Sequence, residues 1–199
     1  MGYITIGVLG FLVAYLFDVV SLKRIPGAKQ GVGIVVVALI SYATLMVCFE
    51  SERLALPIGL TWLGWVLLSV SVPLLVYSLF IDLPFRKTYV APGVGDRLIR
   101  TGTYALVRHP GVSWYALLLV SLILVSRSKL LLIASPIWLA MDILHVIIQD
   151  KFFFSKMFKD YDDYRRETPM LIPSRRSISA CLRTLRQPRT ESEFQEGRG

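Results

Sequence analysis

Five long apolar stretches decide what this chain can fold into. They cover residues 3–20, 31–49, 57–80, 111–126 and 130–148. A helix needs roughly 20 mostly apolar residues to cross the hydrocarbon core of a bilayer. Charged residues make up only 18% of the chain, against about 25% in a typical soluble domain. The pattern predicts an all-α, polytopic membrane protein with about five transmembrane helices.

The connections between these stretches differ in length, and the shortest joins the fourth stretch to the fifth. Only Arg127, Ser128 and Lys129 separate the two, which predicts a tight helical hairpin. The first stretch has neither a basic segment before it nor a small-residue cleavage site after it. We therefore expect it to be retained as a membrane span rather than removed as a signal peptide.

The distribution of lysine and arginine predicts the orientation in the membrane. Nineteen of the 22 lysines and arginines lie in the connections after the first and third spans and in the segment after the fifth. The positive-inside rule assigns those segments to the cytoplasm. We therefore expect the N-terminus outside, and the C-terminus and any active site in the cytoplasm. Topology and attraction to anionic membrane lipid account for the net charge of +8, so we expect no nucleic-acid partner.

Composition divides the chain into three parts. Residues 1–80 hold the first three spans, residues 81–173 hold the fourth and fifth with their polar flanks, and residues 174–199 are rich in Arg, Ser, Gln and Glu. The last part has too little apolar surface to fold alone, so we expect a disordered basic tail. A membrane-surface helix is the alternative, because four tail residues have loose helical spacing. These are Ile178, Cys181, Leu182 and Leu185.

The two cysteines do not indicate a chemical function. Cys48 and Cys181 are predicted to lie on opposite sides of the membrane, so we expect no disulfide between them. The sequence has no cysteine and histidine spacing typical of a metal site, so we expect no metal centre.

The connection between the third and fourth spans has the features of a functional site. It covers residues 82–110, a length that is uncommon unless the loop is functional or disordered, and its end reads TGTYALVRHPG. Gly102 permits a tight turn or the close approach of a ligand, and Pro110 suits the first turn of the next helix. Arg108 and His109 then lie at that helix N-terminus. For Arg108, a simple interface anchor is the alternative.

Polar residues also occur at the end of the fifth span. Asp142, His145 and Gln149 share one helix face, and Asp150 follows directly. Ionisable residues within a span usually face the bundle interior or a wet cavity and mark function. A hydrogen-bonded network that only fixes packing is the alternative.

The segment after the fifth span, residues 151–174, reads KFFFSKMFKDYDDYRRETPMLIPS. Phenylalanines and lysines make up most of its first half, and Tyr161 and Tyr164 follow. Pro169 and Pro173 then flank a short apolar run. We expect an interfacial helix followed by an extended segment that folds back onto the membrane face.

Taken in order, these motifs resemble the isoprenylcysteine carboxyl methyltransferase family and the related integral-membrane phospholipid methyltransferases. The family pattern has a Thr-Gly-Pro-Tyr turn, an Arg-His-Pro helix start, a hairpin of two spans, an acidic pair, spaced tyrosines and a Pro-x-x-Ile-Pro end. The likeness covers about residues 86–173. The matching residues are Thr101, Gly102, Tyr104, Arg108, His109, Pro110, Phe158, Tyr161, Tyr164, Pro169, Ile172 and Pro173.

The resemblance implies a membrane-embedded methyltransferase that uses S-adenosylmethionine as its cofactor and acts on a lipophilic or lipidated substrate arriving from the membrane. It implies a catalytic role for Arg108, Asp150 and His145. It also implies a cofactor-binding set that extends from the turn to the C-terminal tyrosines. That set is Gly102, Tyr104, His109, Pro110, Trp114, Tyr161 and Tyr164.

The sequence departs from the family pattern at several points, including Val112 where the family often has Tyr, Lys159 where it has Gly, and a spacing from Phe158 to Tyr161 that is one residue short. Thr103 stands where the family has proline, and Gln149 with Asp150 stands where it has two acidic residues. The methyl acceptor therefore stays open between a prenylcysteine-like carboxylate and a lipid headgroup. Two other functions also stay open: an NADPH-dependent membrane reductase of sterol-reductase-like fold, and a non-catalytic membrane protein that retains the fold. The oligomeric state is not predicted.

Overall fold

The computed structural model describes residues 1–23, 25, 27–50, 52–83, 98–158 and 160–186. Five long helices account for most of these residues: α1 (Gly2–Lys23), α2 (Ala28–Cys48), α3 (Ile58–Val76), α5 (Pro110–Ser126) and α6 (Lys129–Ile148). Four short helices also occur in the described part: α4 (Thr103–Leu106), α7 (Phe154–Met157), α8 (Tyr161–Glu167) and α9 (Arg175–Arg186). The expected all-α class is confirmed.

Helices α3 and α6 both continue into π-helical segments. Tyr77–Asp82 extends α3, and Gln149–Phe153 extends α6. With these extensions, four helices are long and apolar enough to cross a membrane, namely Gly2–Lys23, Ala28–Cys48, Ile58–Asp82 and Lys129–Met157. Helix α5 is apolar but shorter, with 17 residues. The structure therefore agrees with a polytopic membrane protein of about five spans.

The ends of the bundle that hold the α2–α3 and α5–α6 connections meet, and we call this the hairpin end. Arg53 donates hydrogen bonds to the carbonyl oxygens of Cys48 at 2.7 Å and Ser126 at 2.6 Å. Cys48 is the last residue of α2, and Ser126 is the last residue of α5. The Ser128 hydroxyl donates to the Val47 carbonyl at 2.7 Å and accepts from the Leu131 amide at the start of α6. These bonds satisfy helix-end groups that lack partners within their own helices.

The core of the bundle lies between α1, α2, α5 and α6. Its largest buried side chain is Trp138 of α6, whose indole nitrogen donates to the Ile4 carbonyl of α1 at 3.1 Å. Gly7 makes this contact possible, because a Cβ atom there would lie 2.3 Å from the Trp138 Nε1 atom. The side chains facing away from the core, such as Trp62 and Val66 of α3, are apolar and exposed, as expected for helix faces against lipid.

The opposite end of the bundle, which we call the site end, holds the polar segments predicted to carry function. Residues 168–174 form an irregular segment with several bends. Their backbone returns to the start of α5: the Arg108 and His109 amides donate to the Pro169 and Met170 carbonyls at 2.9 and 3.2 Å. The segment therefore folds back onto the Arg-His pair, and its contact with the membrane face stays a prediction.

The prediction of a disordered tail is wrong for residues 175–186, which form α9. Helix α9 packs against α4 with Ser177 and Cys181 buried. These residues are small or polar, so the sequence shows no apolar face that would mark the contact. Residues 187–199 lie outside the described residues, as do residues 84–97 of the predicted functional loop.

Candidate functional site

The side chain of Asp150, on the π-helical extension of α6, is the centre of the site end. Arg108 donates to both of its oxygens, from Nε at 3.1 Å and from Nη2 at 2.8 Å. The Tyr161 hydroxyl donates to Oδ1, and His109 Nε2 lies 3.3 Å from the same oxygen. Only 3% of Asp150 is exposed, so a buried carboxylate is balanced by one buried guanidinium and two further donors.

Arg108 uses its remaining donors on backbone. Its Nη1 atom donates to the carbonyl oxygens of Arg165 at 2.8 Å and Thr168 at 2.6 Å, at the C-terminal end of α8. Carbonyls at a helix end attract cations and need donors. The guanidinium thus joins α6, α8 and the start of α5, and the geometry is that of a positioning residue. Through these hydrogen bonds Arg108 holds the three segments together, so it is more than a simple anchor at the membrane interface.

His109 is the residue immediately before α5, whose first residue is Pro110. Its ring stacks on Phe154, with centroids 5.7 Å apart and planes 18° apart. Burial lowers the pKa of His109, and the neighbouring Asp150 carboxylate only partly offsets this. The imidazole is therefore neutral at neutral pH, and its Nε2–H is the donor toward Asp150.

Tyr161 and Tyr164 of α8 are both buried. Burial and the adjacent Asp150 carboxylate raise the pKa of Tyr161 above its usual range, and burial does the same for Tyr164. Both hydroxyls therefore stay protonated and act as donors. Tyr164 donates to the Tyr104 carbonyl at 2.7 Å, and the Arg100 guanidinium lies 5.9 Å from its ring centroid.

Gly102 begins the turn into α4 with a φ of 62°, a backbone conformation that favours glycine. A Cβ atom there would lie 2.6 Å from Asp82 Oδ1, so any side chain at this position would also clash with Asp82. Asp82 accepts from the Thr103 amide at 2.8 Å and from the Thr103 hydroxyl. The Thr184 hydroxyl of α9 accepts from the Gly102 amide at 3.1 Å.

Tyr104 and Trp114 lie beside this turn and contact the same residue of α3's extension. The Tyr104 hydroxyl donates to the Ser78 carbonyl at 3.2 Å, and Trp114 Nε1 donates to the Ser78 hydroxyl at 2.8 Å. Both rings are half-buried. These bonds fix the polar edges of the two aromatic rings.

His145 belongs to a separate group of polar residues between α1 and α6. Its Nε2 atom lies 2.7 Å from Asp18 Oδ2, and Gln149 Nε2 donates to both Asp18 oxygens at 3.0 and 3.1 Å. The Tyr15 ring packs against the imidazole in a tilted arrangement, with centroids 4.8 Å apart and planes at 57°. His145 and Gln149 thus share a face as predicted, but their partner is Asp18 rather than Asp142.

The structure therefore brings together seven of the predicted residues directly and keeps His145 apart. Arg108, His109, Asp150, Tyr161 and Tyr164 share hydrogen bonds, and Gly102 with Tyr104 lies on the adjoining turn. Trp114 meets Tyr104 through Ser78, and Pro110 starts α5.

Sequence reasoning missed Asp18, Asp82 and Thr184. Asp18 is the one acidic residue within the first apolar stretch, and its position in a span was a signal of function that could have found it. Asp82 ends the third span, and polar residues are common at the end of a span, so its position gave no signal of function. Nothing in the spacing of Thr184 indicates a bond to a residue 82 positions earlier.

Within the part of the chain that the structure describes, no group of three or more His, Cys, Asp or Glu side chains could hold a metal ion. The free cysteines, Cys48 and Cys181, are at opposite ends of the bundle. The chemistry of this end therefore rests on hydrogen bonds, one buried ion pair and aromatic rings.

The sequence matches a known family over most of its length. Residues 30–168 match DUF1295, a family of proteins of unknown function, and the chain belongs to that family. No curated protein matches the chain, and no solved structure does. The matched region begins in α2 and ends at Thr168, just after α8, so it includes the Asp150 cluster but not α9.

Proposed function

We propose that this chain is a membrane-embedded, S-adenosylmethionine-dependent methyltransferase that acts on a lipophilic substrate. One observation carries the proposal: three separated sequence segments meet at the N-terminus of α5. The turn at Gly102 and Tyr104, the Arg108–His109 pair and the α8 tyrosines are joined through Asp150 and the Tyr104 carbonyl. The resemblance to membrane methyltransferases rests on these same segments.

The residues present suit the parts of the cofactor. Two half-buried aromatic residues, Tyr104 and Trp114, suit the neighbourhood of an adenine ring, since aromatic rings stack on planar bases. The N-terminus of α5 suits a carboxylate, because helix N-termini carry partial positive charge and donors; His109, whose N–H is directed at Asp150, borders this position. Bound there, the cofactor would supply a methyl group on a sulfonium, which any correctly placed nucleophile can accept.

The hydrogen bonds of Asp150 bear on the choice of methyl acceptor. Its two oxygens already accept from Arg108, Tyr161 and His109, so it is a poor base for removing a proton from an amine. A carboxylate acceptor needs no base, because transfer of a methyl cation to it gives a neutral ester and a neutral thioether. We therefore favour a carboxylate-bearing lipophile over a headgroup amine.

The roles of the site residues follow from these contacts. Arg108 and Asp150 position α8 and the start of α5 rather than touch the reacting atoms. Methyl transfer depends chiefly on holding donor and acceptor in line, so positioning of this kind has a large effect on rate. His145, which pairs with Asp18, remains the candidate base for an acceptor that must lose a proton.

The experiment that tests the proposal is transfer of a radiolabelled methyl group. Purified protein in lipid nanodiscs is incubated with methyl-labelled S-adenosylmethionine and a lipid extract, and label is followed into organic solvent. We expect extractable label that is base-labile, as a methyl ester is, and that falls at least about tenfold in His109→Gln. Glu52→Gln at the exposed hairpin end is the matched control. Absence of labelled product together with tight NADPH binding would instead favour a reductase.

A further inference from the structure

Helix α9 attaches to the candidate site through one of its faces. Ser177 and Cys181 are 3% and 8% exposed and pack toward α4. Thr184, one turn further, accepts the hydrogen bond from the Gly102 amide. Since Ser177, Cys181 and Thr184 are spaced four and three apart, they lie on one face of the helix. That face is small and polar, and it covers the turn into α4.

A second face of α9 is apolar and remains uncovered. Ile178, Leu182 and Leu185 are also spaced four and three apart, and their side chains are 45%, 53% and 53% exposed. In most soluble helices the apolar stripe packs against the core, whereas here the polar face does so. The described part of α9 therefore carries its apolar stripe on the outside.

The remaining side of α9 is strongly basic. Arg175, Arg176 and Arg183 are all exposed, and the described residues of α9 include no acidic side chain. A helix with leucine and isoleucine on one side and several arginines on another has the composition of helices that lie in the surface of anionic membranes. Because arginine side chains are attracted to negative charge, a surface of anionic lipid matches this helix better than a surface of neutral lipid.

The position of α9 in the fold agrees with a lipid contact. Four residues separate Met170, whose carbonyl accepts from the amide of His109, from the start of α9. His109 in turn directly precedes α5, an apolar helix of the bundle. Both the connection before α9 and the Gly102 contact near its end thus hold the helix beside the point where the apolar helix α5 begins.

We infer that the outer face of α9, formed by Ile178, Leu182 and Leu185 with Arg175, Arg176 and Arg183, binds the surface of an anionic lipid bilayer, and that this contact holds α9 on the Gly102 turn. Anionic lipid then controls how tightly the turn is covered. The inference uses only the contacts of α9, so it stands or falls separately from the proposed activity.

The accessibility of Cys181 measures the covering directly. In a Cys48→Ala background, Cys181 is the single thiol of the chain, and it is reached by a maleimide only when α9 leaves the turn. Protein in nanodiscs of phosphatidylcholine alone is compared with protein in nanodiscs that also contain phosphatidylglycerol. We expect labelling at least about fivefold slower with the anionic lipid, and a smaller difference at high salt.

Charge variants identify the surface responsible. The combined change Arg175→Gln, Arg176→Gln and Arg183→Gln is expected to make the labelling rate the same in the two lipids. The matched control changes Lys156→Gln and Arg166→Gln, which are exposed cations of α7 and α8 at the same end. This control is expected to keep the lipid dependence. Loss of dependence in both sets of variants would overturn the assignment to α9.

A depth measurement covers the case in which a variant fails to fold. A fluorescent label at Leu182→Cys is expected to be quenched by brominated lipid tails, and a label at Ser179→Cys, on the arginine side of the helix, much less so. Equal labelling of Cys181 in both lipids and an unquenched Leu182 label would overturn the inference. Dependence on the number of protein copies per nanodisc would also overturn it, in favour of contact with a second chain.

Discussion

At the scale of single residues, the ion pair of Arg108 and Asp150 is the contact on which most others at the site end depend. Both side chains are buried, with 8% and 4% of their areas exposed. The sequence predicted both residues but not their pairing with Tyr161 and the α8 carbonyls. Such partners come from residues many positions apart in the chain, and spacing along one helix carries no information about them.

Loss of this pair should be costly. Arg108→Gln leaves the buried Asp150 carboxylate with only the partly exposed Arg165, 3.5 Å away, as a cationic partner, and we expect the free energy of unfolding to fall by about 3 kcal/mol. Unfolding in mixed micelles with increasing dodecyl sulfate measures the change. Arg166→Gln, whose ion pair with Asp163 is exposed, is the control and should change stability by less than about 1 kcal/mol. Equal effects of the two variants would contradict the role given to Arg108.

His109 gives the fold a dependence on pH. Because burial lowers its pKa in the folded chain, the unfolded chain takes up a proton near pH 6.5 while the folded chain does not. We therefore expect the free energy of unfolding to be highest above pH 6.5 and to fall on acidification, by up to about 1.4 kcal/mol per pH unit. His109→Gln should flatten this dependence in the same assay. A wild-type stability that rises on acidification in this range would contradict the neutral state assigned to His109.

At the scale of helices, the spans were predicted closely, whereas α9 was not. The apolar stretch 130–148 became α6 (Lys129–Ile148) because bilayer thickness fixes how long such a helix must be. In α9, by contrast, the face that packs on the protein is Ser177, Cys181 and Thr184. The helical spacing of Ile178, Leu182 and Leu185 left a membrane-surface helix as the alternative to disorder, but small polar residues gave no sign that α9 packs on the protein.

The packing of α1 on α6 depends on the absence of a side chain at Gly7. A Cβ atom would lie 2.3 Å from Trp138 Nε1, so Gly7→Ala should displace the indole from its bond to the Ile4 carbonyl. We expect a loss of about 1–3 kcal/mol in the free energy of unfolding, as for other overpacked cores. Gly59→Ala in α3 meets no atom within 4 Å and is the control. If the two alanine variants are equally stable, the close approach of α1 and α6 is wrong.

At the scale of the whole molecule, the chain has two unlike ends. The hairpin end holds helix caps such as Arg53 and Ser128, and the site end holds the Asp150 cluster and α9. Because the polar residues at the site end come from α1, α3, α5, α6 and α8, their meeting depends on the packed bundle as a whole. The sequence predicted which segments are polar, but only the fold shows that Asp18 pairs with His145 while Asp150 pairs with Arg108.

The orientation predicted from lysine and arginine makes the two ends distinguishable in cells. We expect a cysteine at Glu52→Cys, on the hairpin end, to react with a membrane-impermeant maleimide applied to intact cells. A cysteine at Asp162→Cys, exposed on α8, should react only after lysis. Both are made with Cys48→Ala and Cys181→Ala to remove the native thiols. The reverse pattern would place the candidate site outside the cell.

Binding of the cofactor tests the central claim most directly. Calorimetric titration of the purified, folded protein with S-adenosylmethionine and with NADPH compares the two nucleotides on the same sample. The account predicts that S-adenosylmethionine binds and that His109→Gln, shown by its unfolding profile to be folded, weakens the binding at least about tenfold, or about 1.4 kcal/mol. Failure of S-adenosylmethionine to bind the folded wild-type protein, or displacement of it by NADPH at low concentration, would contradict the account.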